Sequence, residues 1–156
     1  MAATAIPMSE TAQHELVITR TFDAPRALVF RAWAQPEHMV RWLGPPSHPA
    51  KTCNMDFRVG GAYRACLRSA DGKEHCMRGI YREIAEPERL VFTFSWEEEG
   101  ERGRENVITV TFGDLGDKTK MTFRHAFFET VENRDDHNQG WNGSFDRLAE
   151  FLANER

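Results

Sequence analysis

The 156-residue chain is 40% hydrophobic and 28% charged, a composition that fits one globular domain with a packed core and excludes a disordered chain. Its 20 basic and 24 acidic residues give a formal charge of −4, and no block of Lys and Arg could track a phosphate backbone, so nucleic acid is excluded as a partner. No stretch approaches the roughly 18 apolar residues that span a bilayer, so no membrane partner is expected.

Residues 1–13, MAATAIPMSETAQ, have neither a positive n-region nor an apolar h-region and are expected to be a flexible tail on a cytoplasmic protein, with one domain over 14–156. From His14 to Phe22, Leu16, Ile18 and Phe22 alternate with Val17, Thr19 and Thr21, the period of a strand. Asp23 then offers an N-cap oxygen and Pro25 a pre-set φ, and Leu28, Val29, Phe30 and Trp33 follow at helical spacing. Pro36 opens a second short helix carrying Met39, Val40, Trp42 and Leu43, which Gly44-Pro45-Pro46 ends.

Six strands are predicted next, at 51–59, 62–69, 73–84, 89–96, 105–112 and 119–127. Gly60-Gly61, Asp71-Gly72, Glu86-Pro87-Glu88 and the run from Gly113 to Asp117 are short turn signals, so the strands are expected to pair in sequence as an antiparallel meander. The charged run from Glu97 to Arg104 reads as a solvated hairpin tip. A last helix from near Asn133 places Trp141, Phe145, Leu148 and Leu152 on one stripe; Gly140 and Gly143 interrupt it and would let it approach the sheet closely.

This order of elements predicts an α+β helix-grip architecture. A curved seven-stranded antiparallel sheet wraps around a long C-terminal helix, with two short helices after the first strand. A gap between a curved sheet and a straight helix is a natural ligand cavity. Alternation puts Tyr63, Ala65 and Leu67, Met77, Gly79 and Tyr81, Leu90, Phe92, Phe94 and Trp96, Ile108, Val110 and Phe112, and Met121, Phe123 and His125 inward. Arg68, Arg82, Thr93 and Arg124 fall on the other face. Arg20, at strand spacing from Ile18, either faces the pocket or pairs with a carboxylate at the sheet edge.

The segments ITRTFDAPRALVFRAWAQPEHMVRWLGPP at 18–46 and VGGAYRACLRSADGKEHCMRGIYREIAEPERLVFTFSW at 59–96 resemble the homologue family of the heat-shock protein 90 ATPase activator, within the SRPBCC or START-like superfamily. The likeness runs on through VITVTFGDLGDKTKMTFRHAFF and GWNGSFDRLAEFL and covers roughly residues 15 to 153. It implies the same helix-grip fold and, in the wider superfamily, a cavity for lipids, sterols, polyketides or other apolar molecules. A chaperone is the partner implied by the eukaryotic activator, and cyclases and dehydratases of aromatic polyketides also belong to the superfamily.

No GxSxG, HExxH or P-loop occurs, and no catalytic residue or cofactor is assigned. His48, His75 and His137 are far apart and lack ligand spacing, so no metal site is expected. His125 and Glu129 are four apart, but at a strand end rather than on a helix. Cys53, Cys66 and Cys76, odd in number and without CxxC spacing, are expected to be free thiols in a reducing compartment. The expected function is binding of an apolar lipid, polyketide or aromatic molecule by Trp42, Tyr63, Met77, Tyr81, Phe92, Phe94, Trp96, His125, Trp141 and Phe145. The alternatives are a chaperone-regulating or other protein-interaction module and a cyclase or dehydratase-type enzyme.

Overall fold

The structure is a computed structural model that describes residues 15–99, 103–128 and 130–155. The expected tail over residues 1–13 lies outside the described residues, as do His14, part of the charged run and Glu129. In chain order the elements are β1 (Leu16–Phe22), α1 (Arg26–Ala34), α2 (Pro36–Trp42), β2 (Ala50–Met55), β3 (Ala62–Arg68), β4 (Glu74–Ala85), β5 (Arg89–Trp96), β6 (Asn106–Asp114), β7 (Thr119–Ala126) and α3 (Val131–Glu155). The seven strands form one antiparallel sheet in the order β1-β7-β6-β5-β4-β3-β2. Strands β2 to β7 are therefore a sequential meander, and β1 closes the far edge against β7. The helix-grip architecture expected from the sequence is present.

Local chemistry accounts for the boundaries. The cap of α1 is Pro25 in extended conformation, whose carbonyl receives the Leu28 and Val29 amides, so the N-cap position falls two residues after the expected Asp23. The start of α3 is set by Thr130, whose hydroxyl accepts the Asn133 amide at 3.1 Å, two residues before the expected start. Strand β2 stops at Met55, short of Val59, because the chain turns tightly over 56–61; a Cβ on Gly61 would lie 2.0 Å from the Asp56 carbonyl oxygen.

The inward alternation holds along every strand. Tyr63, Ala65, Leu67, Met77, Tyr81, Leu90, Phe92, Phe94, Trp96, Ile108, Val110, Phe112, Met121, Phe123 and His125 are all buried. Two of the positions assigned from the sequence depart from it, and Cys66 is buried on the opposite face. The β4–β5 ladder opens at Gly79 and Ile80, where the Ile80 amide donates to the Thr93 hydroxyl at 2.8 Å, so Thr93 is buried rather than solvated. A Cβ on Gly79 would stand 1.8 Å from the Thr93 carbonyl oxygen, so Gly79 opens on backbone and not on free space.

Helix α3 lays Trp141, Phe145, Leu148 and Leu152 on the sheet, each worth about 1.5–3 kcal/mol when fully buried. Arg20 donates to the Asn142 backbone carbonyl and to Oδ1 of its side chain, and pairs with Asp146 at 3.0 Å, tying β1 to α3. Arg147 on α3 donates to the Leu43 and Gly44 carbonyls at 2.9 Å and to that of Arg41, which satisfies the carbonyls at the end of α2. These contacts clamp α2 and the loop after it to the helix. Gly143 allows this approach: its Cβ would lie 2.8 Å from Pro45 Cβ, so the close contact is with the loop and not with the sheet.

The expectation of three free thiols is corrected. Cys66 and Cys76 sit directly opposite each other in the β3–β4 ladder, with Cα atoms 4.0 Å apart, and are joined by a disulfide. They are ten residues apart in sequence, a separation that carries no spacing motif; strand pairing brings them together. Cys53 is free, and burial, with Glu37 adding to it, pushes its thiol up to about 11. Among the described residues, no helix is long and apolar enough to cross a membrane.

Candidate functional site

A cavity of about 360 Å³ lies between strands β3 to β5, the loop after α2 and the N-terminal half of α3. Its apolar wall is Leu43, Leu67, Met77, Phe94, Trp96 and Trp141, with Gly44, Pro45 and Gly140; its polar groups are His48, His75, Asp136, His137 and Ser144. Of the ten site residues expected from the sequence, the structure brings Met77, Phe94, Trp96 and Trp141 together on this wall.

The other six, Trp42, Tyr63, Tyr81, Phe92, His125 and Phe145, are packed into the core beside it. Trp33 is the physical reason. It enters from α1 between sheet and helix, 4.8 Å from Trp42, 6.3 Å from Phe92, 6.1 Å from Phe145 and 6.4 Å from Trp141 between ring centroids. The half of the gap next to α1 is thereby filled with aromatic rings, and the open space is displaced toward β3, β4 and the start of α3. In the filled half Trp42 Nε1 donates to the Ala32 carbonyl at 3.0 Å and the Tyr63 hydroxyl to the Thr93 carbonyl at 2.7 Å, while Trp33 Nε1 is buried without a hydrogen-bond partner. Burial raises the Tyr63 and Tyr81 hydroxyls above their ordinary range.

Both cavity tryptophans direct their single N–H to a histidine, Trp96 to His137 on the cavity lining and Trp141 to His125 in the core behind it. Trp96 Nε1 donates to His137 Nε2 at 2.9 Å, while His137 Nδ1 meets the Asn133 carbonyl at 2.8 Å, so the ring carries its proton on Nδ1. Trp141 Nε1 donates to His125 Nδ1 at 3.2 Å. Burial, with His137 nearby adding to it, holds His125 well below the usual imidazole range, so the ring is neutral with its proton on Nε2. That Nε2 has no hydrogen-bond partner and lies among rings, with the Phe128 centroid 4.3 Å and the Phe94 centroid 4.9 Å from its own. The indoles therefore bring their apolar area to the cavity while their polar atoms are held elsewhere.

The polar end is built from residues set aside in the sequence for want of ligand spacing. His48 and His75 meet with ring centroids 6.0 Å apart, one from the loop after α2 and one from β4. Each uses Nδ1 locally, His48 with the Ser47 hydroxyl at 2.8 Å and His75 with Glu98 at 3.1 Å. Glu98 is thus tied to a cavity histidine rather than lying on a wholly solvated hairpin tip. Ser144 is a brace: its hydroxyl accepts the Gly44 amide at 2.9 Å and donates to the Gly140 carbonyl. Gly140 sits one helical turn from both His137 and Ser144, and a Cβ there would meet nothing within 4 Å. The period-two and helical patterns of the sequence signal Met77, Phe94, Trp96 and Trp141; nothing in either pattern signals His48 or Gly140.

A family profile described as Activator of Hsp90 ATPase homolog 1-like protein matches residues 23–153. Among solved structures, a protein from Rhizobium leguminosarum is 29% identical with a TM-score of 0.75, over 90% of this chain and 94% of that one. One from Chromobacterium violaceum is 25% identical with a TM-score of 0.78, over 88% and 96%. A Silicibacter pomeroyi structure described as the AHSA1 protein is 22% identical with a TM-score of 0.78, over 91% and 99%, a likeness of fold. No curated protein matches. The matched profile spans all of the elements except β1 and the last two residues of α3, so the chain belongs to the Activator of Hsp90 ATPase homolog 1-like family.

Proposed function

We propose that the protein binds a compact apolar molecule with one polar end, its body against Leu67, Met77, Phe94, Trp96 and Trp141 and its polar group beside His48 and His75. The observation that carries this reading is the cavity itself, about 360 Å³ with an apolar wall and histidines at one end. That volume is at the low end of the roughly 300–1,000 Å³ typical of small-molecule sites, which favours a small aromatic or polyketide-like body over a long lipid chain. Helix-grip folds are generally associated with ligand-binding cavities. Affinity in such a site comes mainly from apolar burial at about 25 cal/mol per Å², with one or two hydrogen bonds fixing orientation. The convex face, where a protein-interaction module would present an apolar patch, carries the ion pairs Arg64–Glu97, Arg68–Glu74 and Arg82–Glu105 instead.

The test is a thermal-shift screen of aromatic acids, flavonoids, polyketides and fatty acids against the native chain and against Gly140→Leu. A Leu side chain at 140 enters the open space, so a true cavity ligand stabilises the native chain and leaves the variant unmoved. Equal stabilisation of both places the ligand elsewhere, and no stabilisation by any compound removes support for the reading.

A further inference from the structure

On the convex face of the β3–β4 hairpin, away from the cavity, three potential metal ligands converge. Cys66 Sγ, Cys76 Sγ and a Glu74 carboxylate oxygen all lie within 4.8 Å of one another. Among the described residues no other group of three such side chains comes this close. We propose that Cys66, Cys76 and Glu74 form a redox-gated site for a thiophilic divalent cation such as Zn²⁺, closed while the cysteines are a disulfide and open when they are a dithiol.

Geometry supports the ligand set. Thiolates bind zinc at about 2.3 Å and carboxylates at about 2.0–2.2 Å in a tetrahedron, which requires sulfur and oxygen atoms somewhat closer than 4 Å, reachable here by side-chain rotation alone. Cys66 and Cys76 are registered on adjacent strands and cannot drift apart on reduction, because the ladder continues on both sides, from Ala62↔Ile80 to Arg68↔Glu74. Arg68 donates to one Glu74 oxygen at 2.6 Å and so holds the carboxylate in place, as outer-shell partners do in metal sites. The same guanidinium offsets charge: two thiolates and a carboxylate balance a divalent cation plus Arg68. Access is through a surface depression lined by Lys73, Glu74, His75, Cys76, Glu97 and Glu98, and water would supply the fourth position.

The gate is ordinary thiol chemistry. A low-molecular-weight thiol attacks the Cys66–Cys76 bond as thiolate, a second equivalent releases the reagent as its own disulfide, and both cysteines are left as thiols. The incoming cation then displaces one proton from each. Cys53 does not substitute for either, since it lies on β2 opposite Ala65 and is itself partly buried.

The experiment is a Co²⁺ titration of the whole chain, reduced with a phosphine under argon. One equivalent should produce a thiolate-to-cobalt charge-transfer band, displaced by equimolar Zn²⁺. The band should be absent from the oxidised chain and from Cys76→Ser, and binding in Glu74→Gln should weaken by about tenfold or more. Far-ultraviolet circular dichroism on each variant shows that the sheet is intact, and Glu74→Gln, which keeps both cysteines, covers the case in which Cys76→Ser fails to fold. No band in the reduced native chain overturns the proposal. So does a band that survives in folded Cys76→Ser, or undiminished binding in Glu74→Gln.

Discussion

Gly140 and Gly143 occupy the same stretch of α3 but meet different surroundings, and Ala at each should move stability in opposite directions. In a helix interior Gly is less favourable than Ala by about 0.5–1 kcal/mol, through the backbone freedom it loses on folding. At Gly140 the added Cβ meets nothing within 4 Å, because it enters the cavity, so Gly140→Ala should gain that full amount. For a chain of this size the gain corresponds to a rise in melting temperature of about 1–4 °C. At Gly143 the Cβ would stand 2.8 Å from Pro45 Cβ and 3.2 Å from Pro45 Cα, in a loop that Arg147 and Ser144 pin to the helix. Overpacking of this kind costs about 1–3 kcal/mol, which exceeds the propensity gain and leaves a net loss on the order of 1 kcal/mol. Urea unfolding of both variants measures the two signs directly. A Gly140→Ala protein destabilised by more than about half a kcal/mol would mean that atoms already fill the space beside residue 140. A Gly143→Ala protein stabilised as much as Gly140→Ala would mean that the loop does not rest on α3.

Leu148 is 0% exposed at the contact between α3 and the sheet, so Leu148→Ala should cost about 2–5 kcal/mol in denaturant unfolding, and a loss below about half a kcal/mol would refute the packing of the helix. His125 gives a pH dependence. The folded chain holds it neutral well below its ordinary value of 6.5, while the unfolded chain takes up a proton near that value, so unfolding is favoured as pH falls. Stability should be full above about pH 6.5 and decline below it by up to about 1.4 kcal/mol per pH unit from this group. His125→Phe should flatten that decline in unfolding curves collected from pH 7 to pH 5, and an unchanged slope would assign it to other groups.

The fold was legible because period two and period 3.6 reach the same conclusion along the whole chain. Strand positions such as Ile108, Val110 and Phe112 alternate with half-buried ones, and Trp141, Phe145, Leu148 and Leu152 keep one helical stripe, so sheet, helix and mutual orientation follow from where apolar area must go. The site was half legible for a related reason. Periodicity says which face a side chain is on, but not how far a neighbouring ring reaches across the core. Trp33 carries the same inward signal whether it caps one end or inserts to the middle; only tertiary packing against Trp42, Phe123 and Trp141 tells them apart. The Cys66–Cys76 bond was invisible in spacing because it depends on register across a hairpin, and His48 and His75 meet only because the loop after α2 folds back over β4.

The central claim, a ligand between sheet and helix, is tested most directly by nuclear magnetic resonance of the isotope-labelled chain during titration with the best compound from the thermal screen. The Met77 methyl and the Trp96 and Trp141 indole signals should shift together and saturate, with the His75 ring following, while Trp33 and Trp42 move little. Saturable shifts confined to convex-face residues such as Arg64 and Arg82, with Met77 and both cavity indoles unmoved, would contradict it.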